Sequence, residues 1–154
     1  MHIEPGVVDG AKIVLSYATA AASFGLVAKM AVDTIRNESG AGTRGGEGRG
    51  LAAGLVSLGL RSLIATALVF CFFEVLPHYP VGVSEVHLIL VSTLYLIFGA
   101  GPAAIGLAAG LLLQGLLFAP FDLPQYGMNV TTLLVPLWAL SLLAKRIVPA
   151  GTPY

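Results

Sequence analysis

Charge is what this chain has least of. Charged residues make up 10% of its 154 residues and hydrophobic ones 56%, and the mean hydropathy is +0.88. A soluble globular domain carries about 25% charged residues, so there is too little charge here to cover a water-facing surface. The composition predicts an integral membrane protein. Net charge is zero by formal count, so nothing in the balance of charge draws nucleic acid, and no nucleic-acid partner is expected. Cysteine is nearly absent too. The single Cys71 excludes an internal disulfide and reads as a small lipid- or core-facing hydrophobe. Also missing is the basic start of a cleavable signal peptide: Glu4 and Asp9 precede the first cation, Lys12. The first residues are therefore expected to be kept.

What the chain does have is long apolar stretches. A helix crossing the hydrocarbon needs about 20 apolar residues, and about five segments come near that requirement. They run from about Val8 to Val32, Leu51 to Leu76, Val86 to Phe98, Pro102 to Phe118 and Val130 to Leu143. The first is rich in Ala, Gly and Ser, which lets neighbouring helices approach closely. The third is short for a full crossing. The fold class expected is therefore all-α, a polytopic bundle of about five transmembrane helices forming a single domain over 1–154. Between the first two segments lies NESGAGTRGGEGRG, with six glycines in fourteen residues, expected as a flexible cytoplasmic linker over 37–50. No Lys-Ser or Lys-Thr pair follows these glycines, so they do not read as a phosphate loop.

Lys and Arg near span ends favour the cytoplasmic side. The first connection carries Lys29, Arg36, Arg44 and Arg49, and the tail carries Lys145 and Arg146. The connections Pro77 to Glu85 and Ala119 to Asn129 carry neither residue type. Five spans with the N-terminus outside satisfy these placements. Arg61, well inside the second segment, is the exception, and is expected to snorkel or to pair between helices.

With the N-terminus outside, the opening MHIEPGVV acquires chemistry. The amine of Met1, the amide nitrogen of His2 and its ring Nδ1 can reach one metal ion, closing a five-membered and then a six-membered chelate ring. The amide binds in this way only to a metal that pulls hard on nitrogen. A planar nitrogen set suits late divalent ions such as Ni(II) or Cu(II), whereas Mg(II) and Ca(II) prefer oxygen. His87, at the outer edge of the third segment, is the best donor of a fourth nitrogen, although an interhelical hydrogen bond would equally explain a histidine there. His78, between prolines, reads as a loop histidine at the interface. The amine must be free, and the bulk of His2 favours retention of Met1.

The connection FAPFDLPQYGMN is too polar and proline-rich to cross a bilayer, and non-helical backbone at that depth is tolerated where protein covers it or it lines a cavity. Asp122, Gln125 and Asn129 can orient metal ligands from outside the coordination sphere, as bound imidazoles need. Gln114, inside the fourth segment, must also find a partner. Ordinary loop and interhelical bonding would account for each of these four singly.

Together the start MHIEPG and the stretch VSEVHLILVSTLYLIFGAGPAAIGLAAGLLLQGLLFAPFDLPQYGMNVTTLLVP resemble the substrate-capture subunits of energy-coupling factor transporters for cobalt and nickel, the CbiM/NikM type. The shared order is a histidine, a glycine-rich helix, GP, a helix ending in LLLQGLLF, a loop and a G-x-N. The resemblance implies a planar metal site from Met1, His2 and His87, with Gln114 and Asn129 as supporting or cavity-wall groups. It implies Co2+ or Ni2+ as transported substrate, and a transmembrane coupling subunit and ATPase subunits as partners in the plasma membrane. Members of that family usually have more spans, so the chain is expected to be short of the final helices.

The function expected is capture of Co2+ or Ni2+ at the outer face, without enzymatic activity. No acid and base pair stands at helical spacing in the apolar segments, and no nucleotide motif is present, so energy must come from partners. Two other readings keep the architecture: a vitamin-binding subunit, and a non-catalytic assembly or haem-binding protein. Haem would need facing histidines within helices, and only His87 lies near a span.

Overall fold

A computed structural model describes residues 2–3, 9–41, 47–76, 79–81, 84–86 and 90–147. Five α-helices form the body: α1 (Gly10–Ala41), α2 (Glu47–Glu74), α3 (Val91–Phe98), α4 (Ala100–Leu117) and α5 (Tyr126–Ile147). A 3-10 turn, Pro120–Gln125, joins α4 to α5. Three short strands complete the order: β1 (His2–Ile3), β2 (Tyr79–Val81) and β3 (Ser84–Val86).

The polytopic helical bundle expected from composition is present, and four of its helices are long and apolar enough to cross a membrane. The third segment differs from expectation. Its helix begins at Val91 rather than Val86 and has eight residues, about 12 Å at 1.5 Å per residue, less than half of the roughly 30 Å hydrocarbon. The sequence before it, Ser84–Val86, is strand instead. A β-branched valine and a polar Ser-Glu pair suit a pleated edge of the protein better than a helix surrounded by lipid. The linker expected over 37–50 is also shorter, because α1 runs on to Ala41 and α2 starts at Glu47. The two helices close on each other there: Ser39 Oγ donates to the carbonyl of Gly50 at 3.3 Å.

The apolar outer surface has the pattern of a lipid-facing shell. Val14, Leu15, Leu51, Val56, Leu63 and Ile64 are all exposed. Several serine and threonine hydroxyls are satisfied within their own helices, as suits a lipid setting: Ser23 Oγ donates to the Thr19 carbonyl at 3.0 Å and Thr66 Oγ1 to that of Ser62 at 2.8 Å.

α4 is the enclosed helix, with 61% of its apolar window buried against 17% for α2. Its glycines explain why it can sit there. A Cβ on Gly106 would lie 2.5 Å from Ala65 Cβ and 2.9 Å from the Ala65 carbonyl carbon, and one on Gly110 would lie 2.6 Å from Val69 Cγ1. In lipid, where apolar burial does not drive helices together, such close backbone approach supplies the dispersion contacts that do. Ala103, Ala104, Leu107, Leu134 and Leu137 fill the centre of the bundle.

Chain direction then places the two ends. α5 runs from the Pro120–Gln125 turn to Lys145 and Arg146 in its last turn, and the small sheet lies at the turn's end, where β1 packs against Pro120–Gln125. The basic end and the sheet end are opposite ends of the bundle.

Candidate metal centre

The small sheet brings the N-terminus to the segment that leads to His87. β3 is the central strand, with β1 on one side and β2 on the other. The antiparallel register sets His2 opposite Glu85 and Ile3 opposite Ser84. On the far side Tyr79, Pro80 and Val81 face Val86, Glu85 and Ser84. β3 ends at Val86, one residue before His87 in the chain. Met1, His87 and His78 themselves lie outside the described residues, as does the side chain of His2. The chelate read from the sequence therefore falls on residues outside those described, and only the backbone of His2 and of the strand before His87 is given. Nothing in the chain's pattern announced this sheet, since a two-residue strand is too short to show alternation.

The four polar candidates of the outer connection divide. Gln114, Asp122 and Asn129 meet around one small cavity of about 10 Å³, together with Leu111, Gly115, Leu123 and Tyr126. That is room for about one water molecule. Gln125 is buried at 2% exposure but does not line this cavity. Gln114 and Asn129 are 6% and 3% exposed, and among the described residues neither Gln114 Oε1 nor Asn129 Oδ1 has a hydrogen-bond partner. A buried amide carbonyl left without a donor costs about 1–3 kcal/mol, so two beside one carboxylate form a site that favours a donor or a cation.

The walls of that site are held in place by the bundle. Tyr126 Oη donates to the Ala108 carbonyl at 2.9 Å, tying α5 to α4. Tyr17 Oη donates to the Leu123 carbonyl at 3.4 Å, tying α1 to the turn that carries Asp122. The ring of Phe24 stacks on that of Tyr126 with centroids 6.3 Å apart. Since β1 packs against the same turn, the N-terminal strand and the amide-lined cavity share one end of the protein. Among the described residues no three His, Cys, Asp or Glu side chains gather as a metal cluster. The donors available there are amide oxygens and one carboxylate, suited to orienting ligands rather than to being the nitrogen set.

The opposite end holds a second cavity, about 370 Å³, lined by Asp33, Glu38, Arg61, Tyr95, Gly99 and Lys145 among others. Arg61 does pair between helices, as expected: its guanidinium donates to the Glu38 carboxylate of α1 and to the Phe98 carbonyl at the end of α3. Sequence reading missed both partners. Glu38 fell in the stretch taken for linker, and a backbone carbonyl carries no residue signature.

No curated protein and no solved structure matches the chain. A family described as the cobalt uptake substrate-specific transmembrane region, CbiM, does match, over residues 2–152. With four apolar helices able to cross a bilayer, the chain is a multi-pass membrane protein that belongs to the CbiM family of cobalt-uptake substrate-specific components.

Proposed function

We propose that the protein captures Co2+ at the outer face of the plasma membrane and hands it to a transmembrane coupling subunit driven by ATPase subunits. Four nitrogens form the site: the Met1 amine, the His2 amide and Nδ1, and the His87 imidazole. The observation that carries this reading is the register of β1 on β3, which sets His2 beside the strand leading directly to His87. A chelate that needs the first two residues and a residue far along the chain needs a device to hold them together, and a backbone ladder is one that does not consume side chains. The sheet end is the outer end, because Lys145 and Arg146 mark the other as cytoplasmic.

The ion arrives hydrated and loses water as the nitrogens bind. The His2 amide gives up its proton, which releases acid on capture. Gln114, Asp122 and Asn129, with Gln125 in the same turn region, orient the ligands and accept bonds from imidazole N–H or a trapped water. Ni2+ has the same taste for nitrogen and is a second cargo of the site. No ATP is hydrolysed by this chain.

The test is a cobalt titration of purified full-length chain against His2→Ala, His87→Ala and a variant with one residue added before Met1. Each change should weaken binding by about a hundredfold or more, since each removes donors from a four-donor set. Wild-type affinity in all three would overturn the site, and tight vitamin binding indifferent to the added residue would favour the vitamin reading.

A further inference from the structure

We propose that Arg61 is a positioning residue for cobalt capture: it latches the inner end of α3, a short lever set between two hinges, and so governs how long the ion is held at the outer site. This rests on His87 being a ligand, as proposed above.

The hinges are backbone conformations. α3 is preceded by Leu90 at φ 49° and ψ 43°, the left-handed region that a branched side chain rarely adopts. It is followed by Gly99 at φ 82°. Such positions persist only where the surroundings hold them, and hinges are built from a few residues at element ends that absorb large changes in φ and ψ. Between them α3 has eight residues, with Leu94 and Phe98 buried. Its start lies four residues after His87 in the chain, so the helix and the proposed ligand are joined by a short tether.

The latch is electrostatic. Arg61 of α2 reaches the terminal carbonyl of α3 with one nitrogen and the Glu38 carboxylate of α1 with another. A cation at a helix C-terminus also complements its dipole. One side chain thereby ties three helices at the cytoplasmic end. The fit at the hinge is close: a Cβ on Gly99 would stand 3.2 Å from Arg61 Nη2. Beside the latch lies the 370 Å³ cavity, whose wall includes Tyr95, Leu96 and Ile97 of α3 itself, so there is space for the helix to move once released. A coupling partner that draws Glu38 or Arg61 away at the inner face would free α3 and loosen His87 at the outer one.

The experiment uses the full chain in nanodiscs, with Arg61→Gln, Arg61→Lys, Glu38→Gln and, as a packing control, Gly106→Ala. Cobalt dissociation and the visible spectrum of the bound ion are measured, with hydrogen exchange of the α3 amides in metal-free protein. Arg61→Gln should speed dissociation about tenfold or more, the effect of losing hydrogen bonds to a charged group, and raise exchange over Leu94–Phe98 while leaving the spectrum unchanged. Arg61→Lys should recover much of the loss and Glu38→Gln should fall between. Unchanged dissociation and exchange in Arg61→Gln would overturn the latch, as would equal acceleration by Gly106→Ala, which would mean general loosening. His87→Ala run in parallel separates the two ideas. If it binds cobalt normally, the site and the coupling fall together, while exchange still decides whether Arg61 holds α3.

Discussion

His2 stands opposite Glu85 across the antiparallel ladder of β1 and β3, and this pairing joins the first residues of the chain to a segment more than eighty positions away. Because β3 is also paired with β2, the ladder that receives the N-terminus is braced from behind. The geometry of the proposed site thus rests on a backbone ladder as well as on its donors.

Breaking that ladder should therefore impair cobalt binding without touching a donor. Ser84 faces Ile3 on one side and Val81 on the other, and proline there has no N–H to give either ladder. Ser84→Pro should lower cobalt affinity by roughly tenfold to a hundredfold, the scale of lost support around a metal site. Isothermal titration checks this, with Ser84→Ala expected to bind like wild type.

The amide-lined cavity predicts opposite effects on stability and affinity. Replacing Gln114 by Met removes a buried acceptor without a partner, so thermal stability should hold or rise slightly. If the amide orients a ligand, cobalt affinity should fall by about tenfold. A melting curve and a titration on the same sample decide, and the same split is expected for Asn129→Leu.

Close packing of α4 on α2 predicts a cost for the smallest added group. Gly106→Ala places a methyl against the Ala65 backbone, which cannot move aside as a side-chain tip would. The expected loss is about 1–3 kcal/mol, read from thermal unfolding in detergent. Adding the same methyl at Gly59, where nothing lies within 4 Å, should cost nothing measurable.

Acid should release the cargo. In the proposed site the amine and both imidazoles bind only when neutral, and the amide must give up its proton to the metal, so low pH opposes capture. Affinity should rise with pH, by about tenfold per unit for each proton displaced, and more gently once the amine and imidazoles are neutral and only the amide proton is lost. Cobalt titrations across pH check the slope, and it should be shallower in His2→Ala.

How much of this was legible depends on where the signal lies. The four crossing helices were readable because apolar composition is itself the requirement for crossing. Of the strand at Ser84–Val86, Ser84 and Glu85 were read as connection and Val86 as the start of a span, since three residues carry no usable period and valine suits either structure. Gln114, Asp122 and Asn129 were separable from the apolar background as polar residues needing partners, but that they share a cavity and Gln125 does not depends on how the 3-10 turn folds back on α4.

The sequence by itself determined that the chain lives in a membrane, roughly where its four long helices run, and that its first two residues can offer nitrogen to a metal, because each of these follows from residue type and local order. Only the tertiary structure decided that β1 lies on β3, that α3 is less than half a membrane long, and that Arg61 is bound to Glu38 and Phe98. Those are pairings between distant parts of one chain. They are selected by packing and hydrogen bonding in three dimensions, which no local stretch of residues contains.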